Sequence, residues 1–322
     1  MTKNKRILLI CPKFFGYEKE LYNSLSRLNY DVDYLDERPS NSVLFKFLLR
    51  IGAKILTNVV SKSYYQVFCD DNANSYDYIL YFNIESIDES TLKLLKLRFN
   101  KAKHILYMWD SSKNKRNFLP LLKEFDRCYS FDPEDSRENH DLIYKPLFSC
   151  MNNKLKKRKD IDFSFVGTVH GSRLPILLEV ESLCKDLDLN TFFYFYYPNR
   201  LIWVIRCLID PKLKIKYINK VTSKPMDYSL VEDKIKCSKF VIDIPSENQV
   251  GMTMRNIEVV CAGTRILTTN ITARDTEFYT DGMIEILDIN NIKLPNLDRK
   301  SSSLHYPSYN IDNWFKDLLK IE

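Results

Sequence analysis

Along the chain, short apolar runs alternate with longer segments in which apolar residues return every three or four positions. Such runs are too short for helices and too continuously apolar for half-exposed strands. They predict parallel strands buried on both faces, with helices as the connectors. In the amino-terminal half the pattern places strands at Arg6–Cys11, Asp31–Leu35, Tyr76–Asn83, Ala102–Asp110 and Arg127–Phe131. Helices are predicted over Glu18–Leu28, Ser42–Val60, Asp88–Phe99 and the acidic stretch from Pro133 to His140. The polar, basic stretch Ser149–Asp160 has the composition of a linker. Alternation then resumes with a strand at Ile161–Val166, a helix at Leu174–Cys184 and an aromatic strand at Thr191–Tyr197. An amphipathic helix at Asn199–Leu208, carrying Arg200, Trp203 and Arg206, and a strand at Lys212–Ile218 follow. The predicted fold class is α/β, with two Rossmann-like domains facing one another across a cleft. Their expected extents are 1–150 and 151–309, the boundary falling between Phe148 and Asp160.

The clearest unit is Phe240–Asn270. A strand at Phe240–Ile244, a loop opening on Gly251, a helix to Cys261, a glycine stop at Gly263 and a strand at Arg265–Thr269 make a βαβ crossover. Ligands of open parallel sheets sit at the strands' carboxyl ends, and a helix start there offers unpaired N–H groups to an anion. The strand ending at Val166 has a similar sequel, Gly167-Thr168-Val169-His170-Gly171-Ser172-Arg173, of which His170 and Arg173 are the polar residues best placed. Arg255 near the helix start and Glu258 a turn later stand in the order that the helix dipole disfavours. Two readings follow: Arg255 grips phosphate through its planar fork while Glu258 takes sugar hydroxyls, or the two form an ordinary surface ion pair.

Composition narrows the class. The chain has 322 residues, 45% of them hydrophobic and 28% charged, as in a folded globular protein rather than a disordered one. Eight cysteines show no metal-ligand spacing, and several fall in apolar runs, which predicts reduced core cysteines. No D-x-D tract lies in a loop suited to a metal-nucleotide, so no metal site is expected. A net charge of +6 suits nucleic acid, an anionic membrane or a phosphorylated substrate, but no nucleic-acid-binding motif accompanies it. Nucleotide or membrane is therefore preferred. Ser42–Val60 bears Lys46, Arg50 and Lys54 at four-residue spacing. This basic stripe suits peripheral contact with an anionic membrane, or a core helix with a solvated stripe interrupted at Gly52. The run is too charged to span a bilayer, and Ile7–Cys11 is too short for a signal peptide, so the expected location is cytoplasmic.

At the carboxyl ends of the first domain's strands, Glu18 and Asp110 are the candidate bases. Each has a plainer alternative: an acidic first helical turn for Glu18, a cap or turn aspartate for Asp110.

The segment QVGMTMRNIEVVCAGTRILTTN resembles the carboxyl-terminal signature of GT-B glycosyltransferases of the CgeB-like group and their relatives in lipopolysaccharide and capsule biosynthesis. A Q-x-G-x-T-x-R-x-x-E pattern is carried by Gln249, Gly251, Thr253, Arg255 and Glu258, with Gly263 at the following turn. Across broader GT-B enzymes the acid at the position of Glu258 binds the ribose of a nucleotide-sugar, which the resemblance implies here. The first acid of that broader motif is replaced by Val250. The same likeness implies contacts near the base from Lys224 and Tyr228, and a closing helix, Ile311–Ile321, that crosses back onto the first domain.

Together these imply a metal-independent glycosyltransferase without a bound cofactor. It would move sugar from a nucleotide-sugar donor to a hydroxyl of a glycan or lipid-linked acceptor in lipopolysaccharide, O-antigen or capsule assembly. The scaffold leaves two alternatives open, a nucleotide-sugar epimerase or hydrolase and a non-catalytic nucleotide-binding protein.

Overall fold

The computed structural model describes residues 4–14, 16–50, 54–151, 158–169, 173–210, 213–245, 251–298 and 306–320. The chain divides into two compact units, one of residues 1–150, 248–252 and 308–322, the other of residues 151–247 and 253–307.

In the first unit the strands β1 (Arg6–Cys11), β2 (Asp31–Asp36), β3 (Tyr78–Phe82), β4 (Lys103–Met108), β5 (Arg127–Ser130) and β6 (Ile143–Tyr144) form one sheet. Their spatial order is β2-β1-β3-β4-β5-β6, and every pairing is parallel. The strand order reverses at β1, which pairs Ile7 with Val32 on one side and with Tyr78 on the other. Ile7 to Cys11 are fully buried, which is why this strand shows no polar alternation. The connecting helices are α1 (Tyr17–Arg27), α2 (Val43–Arg50), α3 (Lys54–Asp71), α4 (Glu89–Arg98) and α5 (Pro133–Glu138). The single helix expected over Ser42–Val60 is thus two, the second running on to Asp71. Gly52 and the side chains of Lys46, Arg50 and Lys54 lie outside the description.

In the second unit β7 (Ile161–Thr168), α6 (Arg173–Asp186), β8 (Thr191–Tyr196), α7 (Arg200–Ile209), α8 (Tyr228–Cys237), β9 (Ser238–Asp243), α9 (Met254–Cys261), β10 (Arg265–Thr268), α10 (Glu277–Thr280) and β11 (Ile284–Ile286) follow in turn. The sheet is again parallel, ordered β11-β10-β9-β7-β8, with its reversal at β7. Phe163 and Phe240 stack across the β7–β9 pair at 5.4 Å in a core shared with Phe165, Phe195, Trp203 and Ile242. Gly263 takes φ +67° directly after α9, the left-handed stop that its position predicts. The expected strand at Lys212–Ile218 is instead a 3₁₀ helix, Ile215–Lys220. Leu213 and Tyr217 point into the core while Ile215 stays exposed, a spacing of four rather than two.

The last helix, α11 (Ile311–Leu319), belongs to the first unit. Its Trp314 packs edge-on to Tyr107 at 4.7 Å and donates to the Pro146 carbonyl at 2.7 Å. Asp312 accepts from Ser24 and Arg27 of α1 at 2.6 and 2.7 Å. All eight cysteines are free and six are buried, in keeping with reduced core thiols. Among the described residues, no helix is long and apolar enough to cross a membrane.

Candidate functional site

Strands β7 and β9 are direct parallel neighbours, so their carboxyl ends, at Thr168 and Asp243, lie on the same edge of the second sheet. Thr253 caps α9 by accepting from the Asn256 N–H at 3.1 Å, a structural task for a residue expected to bind donor. One turn on, Glu258 is wholly buried. Its Oε1 accepts a hydrogen bond of 2.7 Å from the Tyr228 hydroxyl, and its Oε2 lies 3.6 Å from Nη1 of Arg255. Arg255 itself keeps 29% of its side chain exposed. The pair is therefore neither a surface ion pair nor a closed internal one: the acid is sealed and the base has one side open.

At the end of β9, Asp243 joins this group. Burial pushes its carboxyl up, while a hydrogen bond from the Asn256 side chain and the charges of Arg173 and Arg255 pull it back. Its Oδ2 is shut off from solvent and has no hydrogen-bond partner among the described residues. Arg173, the first residue of α6, donates from Nη1 to the Thr168 carbonyl at 3.1 Å. Burial lowers its guanidinium from the ordinary value, and Asp243 opposes the drop. Two arginines and two acids thus gather at the reversal edge of the sheet, where open α/β sheets bind ligands.

The remaining donor-site candidates are distributed more loosely. Gly167 and Thr168 end β7, and a Cβ on Gly167 would stand 3.2 Å from the Phe165 ring. Gly251 packs against Phe131, where a Cβ would come within 2.9 Å of the ring and 3.3 Å of the backbone oxygen, so close packing accounts for that glycine. Lys224 is exposed, and its carbonyl accepts from the Tyr194 hydroxyl at 2.8 Å. His170, Gly171 and Gln249 lie outside the described residues.

In the first unit, Glu18 accepts from the Phe14 N–H at 3.1 Å, closing the loop between β1 and α1. The Phe14 ring stands 6.1 Å from Trp109, which brings that loop beside the end of β4, where Asp110 lies. Asp110 accepts from Asn114 at 3.0 Å and lies 3.8 Å from Lys115. Lys115 also approaches Glu85, which is bound by Arg38 at 2.8 Å. Burial pushes the Glu85 carboxyl up, but Lys115 and Arg38 together hold it below its ordinary value. A cavity of about 180 Å³ opens beside Glu85, Ser86 and Asn117. Among the described residues, no group of three His, Cys, Asp or Glu side chains is arranged to hold a metal.

Sequence reasoning missed Asp243, Asn256, Arg38 and Glu85. For Asp243 a signal was present: it is an acid closing a buried strand, the same placement that singles out Asp110.

No family model matches the chain, and neither does any curated protein sequence. Among solved structures, the glycotransferase of kitacinnamycin is similar over 99% of this chain and 91% of its own, with a TM-score of 0.50 and 9% identity. The lipopolysaccharide outer core galactosyltransferase WaaB, in its apo form, is similar over 82% and 80%, with a TM-score of 0.43 and 13% identity. The fold is α/β, with two Rossmann-like domains as in GT-B proteins.

Proposed function

We propose that this chain is a GT-B glycosyltransferase of the CgeB-like kind. It moves a sugar from a nucleotide-sugar to a hydroxyl of a glycan or lipid-linked precursor of lipopolysaccharide, O-antigen or capsule, with no metal ion. The fold shared with a glycotransferase supports the reaction class. The observation that carries the reading is the start of α9, where a half-open arginine leans on a buried, tyrosine-bonded glutamate at a sheet-reversal edge.

In such a transfer a base takes the acceptor proton as the diphosphate departs with the electrons of the broken glycosidic bond. Arg255, reinforced by the starts of α6 and α9, meets that developing charge. Glu258 accepts from ribose hydroxyls. The Tyr228 hydroxyl bonds Oε1 as a ribose hydroxyl would, so ribose either displaces Tyr228 or shares the carboxylate with it. Glu18 and Asp110 are the candidate bases; Asp110 accepts from Asn114 at one oxygen and keeps further lone pairs for an acceptor proton.

Transfer of labelled sugar from a panel of nucleotide-sugars to lipid-linked and free glycan acceptors tests the proposal. Transfer that persists in chelator is the expected result. Strict metal dependence would overturn the metal-free mechanism. Conversion of donor to an isomer without acceptor would replace the reading by an epimerase, and binding without turnover by a nucleotide-binding protein.

A further inference from the structure

Helix α7 presents its aliphatic side chains outward. Leu201, Ile202, Ile205, Leu208 and Ile209 are all exposed, Leu201 by 75% and Ile209 by 72%, whereas Trp203 and Cys207 on the opposite side are buried. At 100° per residue the five exposed side chains fall within one arc of about a third of the helix circumference. Ile215, in the 3₁₀ helix that follows, adds a sixth large exposed aliphatic. Scattered exposed leucines are ordinary, but a continuous aliphatic face on one helix needs a partner.

The charges carried by this stretch of chain say which partner. Lys214 and Lys216 are exposed on either side of Ile215, and Arg200 and Lys220 are exposed in the same stretch of chain. Among the described residues from 199 to 220 the one acid, Asp210, lies 3.7 Å from Arg206. A second copy of the chain docking through the same face would set these cations against themselves with no free acid to meet them. An anionic lipid surface satisfies both features: the aliphatic arc enters the acyl boundary while the cations take headgroup phosphates. We infer that the α7 face, with Ile215 and its flanking lysines, docks the protein onto an anionic membrane. This surface is separate from the Ser42–Val60 stripe and uses no residue of the α9 site, so it stands independently of the glycosyl-transfer reading.

Sedimentation of the full chain with phosphatidylcholine vesicles, with and without one-third phosphatidylglycerol, tests it. Wild type should bind the anionic vesicles, and binding should fall as salt rises. Ile205→Gln with Leu208→Gln should weaken that binding by about tenfold or more, and Lys214→Gln with Lys216→Gln by about tenfold. All four side chains are exposed, so melting temperature and circular dichroism should be unchanged. Absence of vesicle binding would overturn the inference, as would equal binding by wild type and both variants. Lipid-free self-association that Ile205→Gln with Leu208→Gln abolishes, without vesicle binding, would overturn it in favour of a second copy. Loss of binding on Leu44→Gln with Phe47→Gln in α2, but on neither α7 variant, would move the membrane face to the first unit.

Discussion

Replacing Arg255 by alanine separates two consequences of its geometry. Glu258 is fully buried and would keep the Tyr228 hydroxyl but lose the cation 3.6 Å away. Removing one partner of a buried ion pair costs about 3–5 kcal/mol. Because Arg255 is 29% exposed and water reaches one side of it, the expected loss is nearer 2–3 kcal/mol. For a unit of this size that is a fall of roughly 4–12 °C in melting temperature. Removing both charges, as Arg255→Met with Glu258→Gln, should cost less than the sum of the single changes, since no unpaired charge stays buried. Binding is a separate readout. If Arg255 also grips a diphosphate, calorimetric titration with nucleoside diphosphates should show affinity weakened by about 1.5–3 kcal/mol, or roughly tenfold to a hundredfold. Arg255→Lys should restore stability more fully than affinity, because lysine supplies charge without the fork. Equal affinities in wild type and both single variants would remove Arg255 from any nucleotide site. A melting temperature unchanged in Arg255→Ala would refute the buried-pair reasoning itself.

Thr253→Ala removes the α9 cap and should cost about 1 kcal/mol in denaturant unfolding, while Thr253→Ser should restore most of it. Trp314→Ala empties a fully buried indole site against Tyr107 and Phe148 and should cost about 3–5 kcal/mol, read as a fall in the first unit's unfolding midpoint. Asp243 has its carboxyl raised by burial, so the folded state holds its proton to higher pH than the unfolded chain does. Its contribution to stability is therefore present at low pH and lost as pH rises from the ordinary carboxylate range through the raised value. Asp243→Asn should lack that loss. A melting-temperature series in acid should show the difference between variant and wild type rising with pH, and a flat difference would count against it. Asp110→Asn and Glu18→Gln, assayed for labelled-sugar transfer, should leave nucleotide affinity intact, and the one that serves as base should lower turnover by about a hundredfold or more.

Where a single physical rule governed a segment, its sequence was legible. β1 is buried on both faces and shows as an uninterrupted apolar run, and α9 ends where Gly263 alone can take the left-handed turn. The failures lie where two rules compete. Leu213, Ile215 and Tyr217 alternate as a strand would, yet burial follows Leu213 and Tyr217, so the helical period prevails. In α9 every side chain from Asn256 to Cys261 is buried, and a helix enclosed on all sides shows no polar face to mark where its acid points. Nothing in the spacing of Arg255 and Glu258 distinguishes a sealed glutamate from a solvated one, since that depends on Tyr228, thirty residues away.

The case of α7 goes further, because the amphipathic pattern was visible and its direction was not. The usual assignment puts the aliphatic arc inward and the mixed face outward. Here the second unit's core takes Trp203, whose indole N–H donates to the Tyr217 carbonyl at 3.2 Å while its ring packs 5.0 Å from Tyr197. One large aromatic with a satisfied polar end faces that core, with Cys207 beside it, and the branched aliphatics lie on the opposite side of the helix. At about 25 cal/mol per Å² of apolar surface, leaving five such side chains in water forgoes several kcal/mol that an inward orientation would have gained. A fold that retains this arrangement recovers the energy only when something apolar covers the face. That makes the vesicle experiment a measurement of the missing burial as well as of location: the affinity lost in Ile205→Gln with Leu208→Gln should match the apolar area those two residues would immerse.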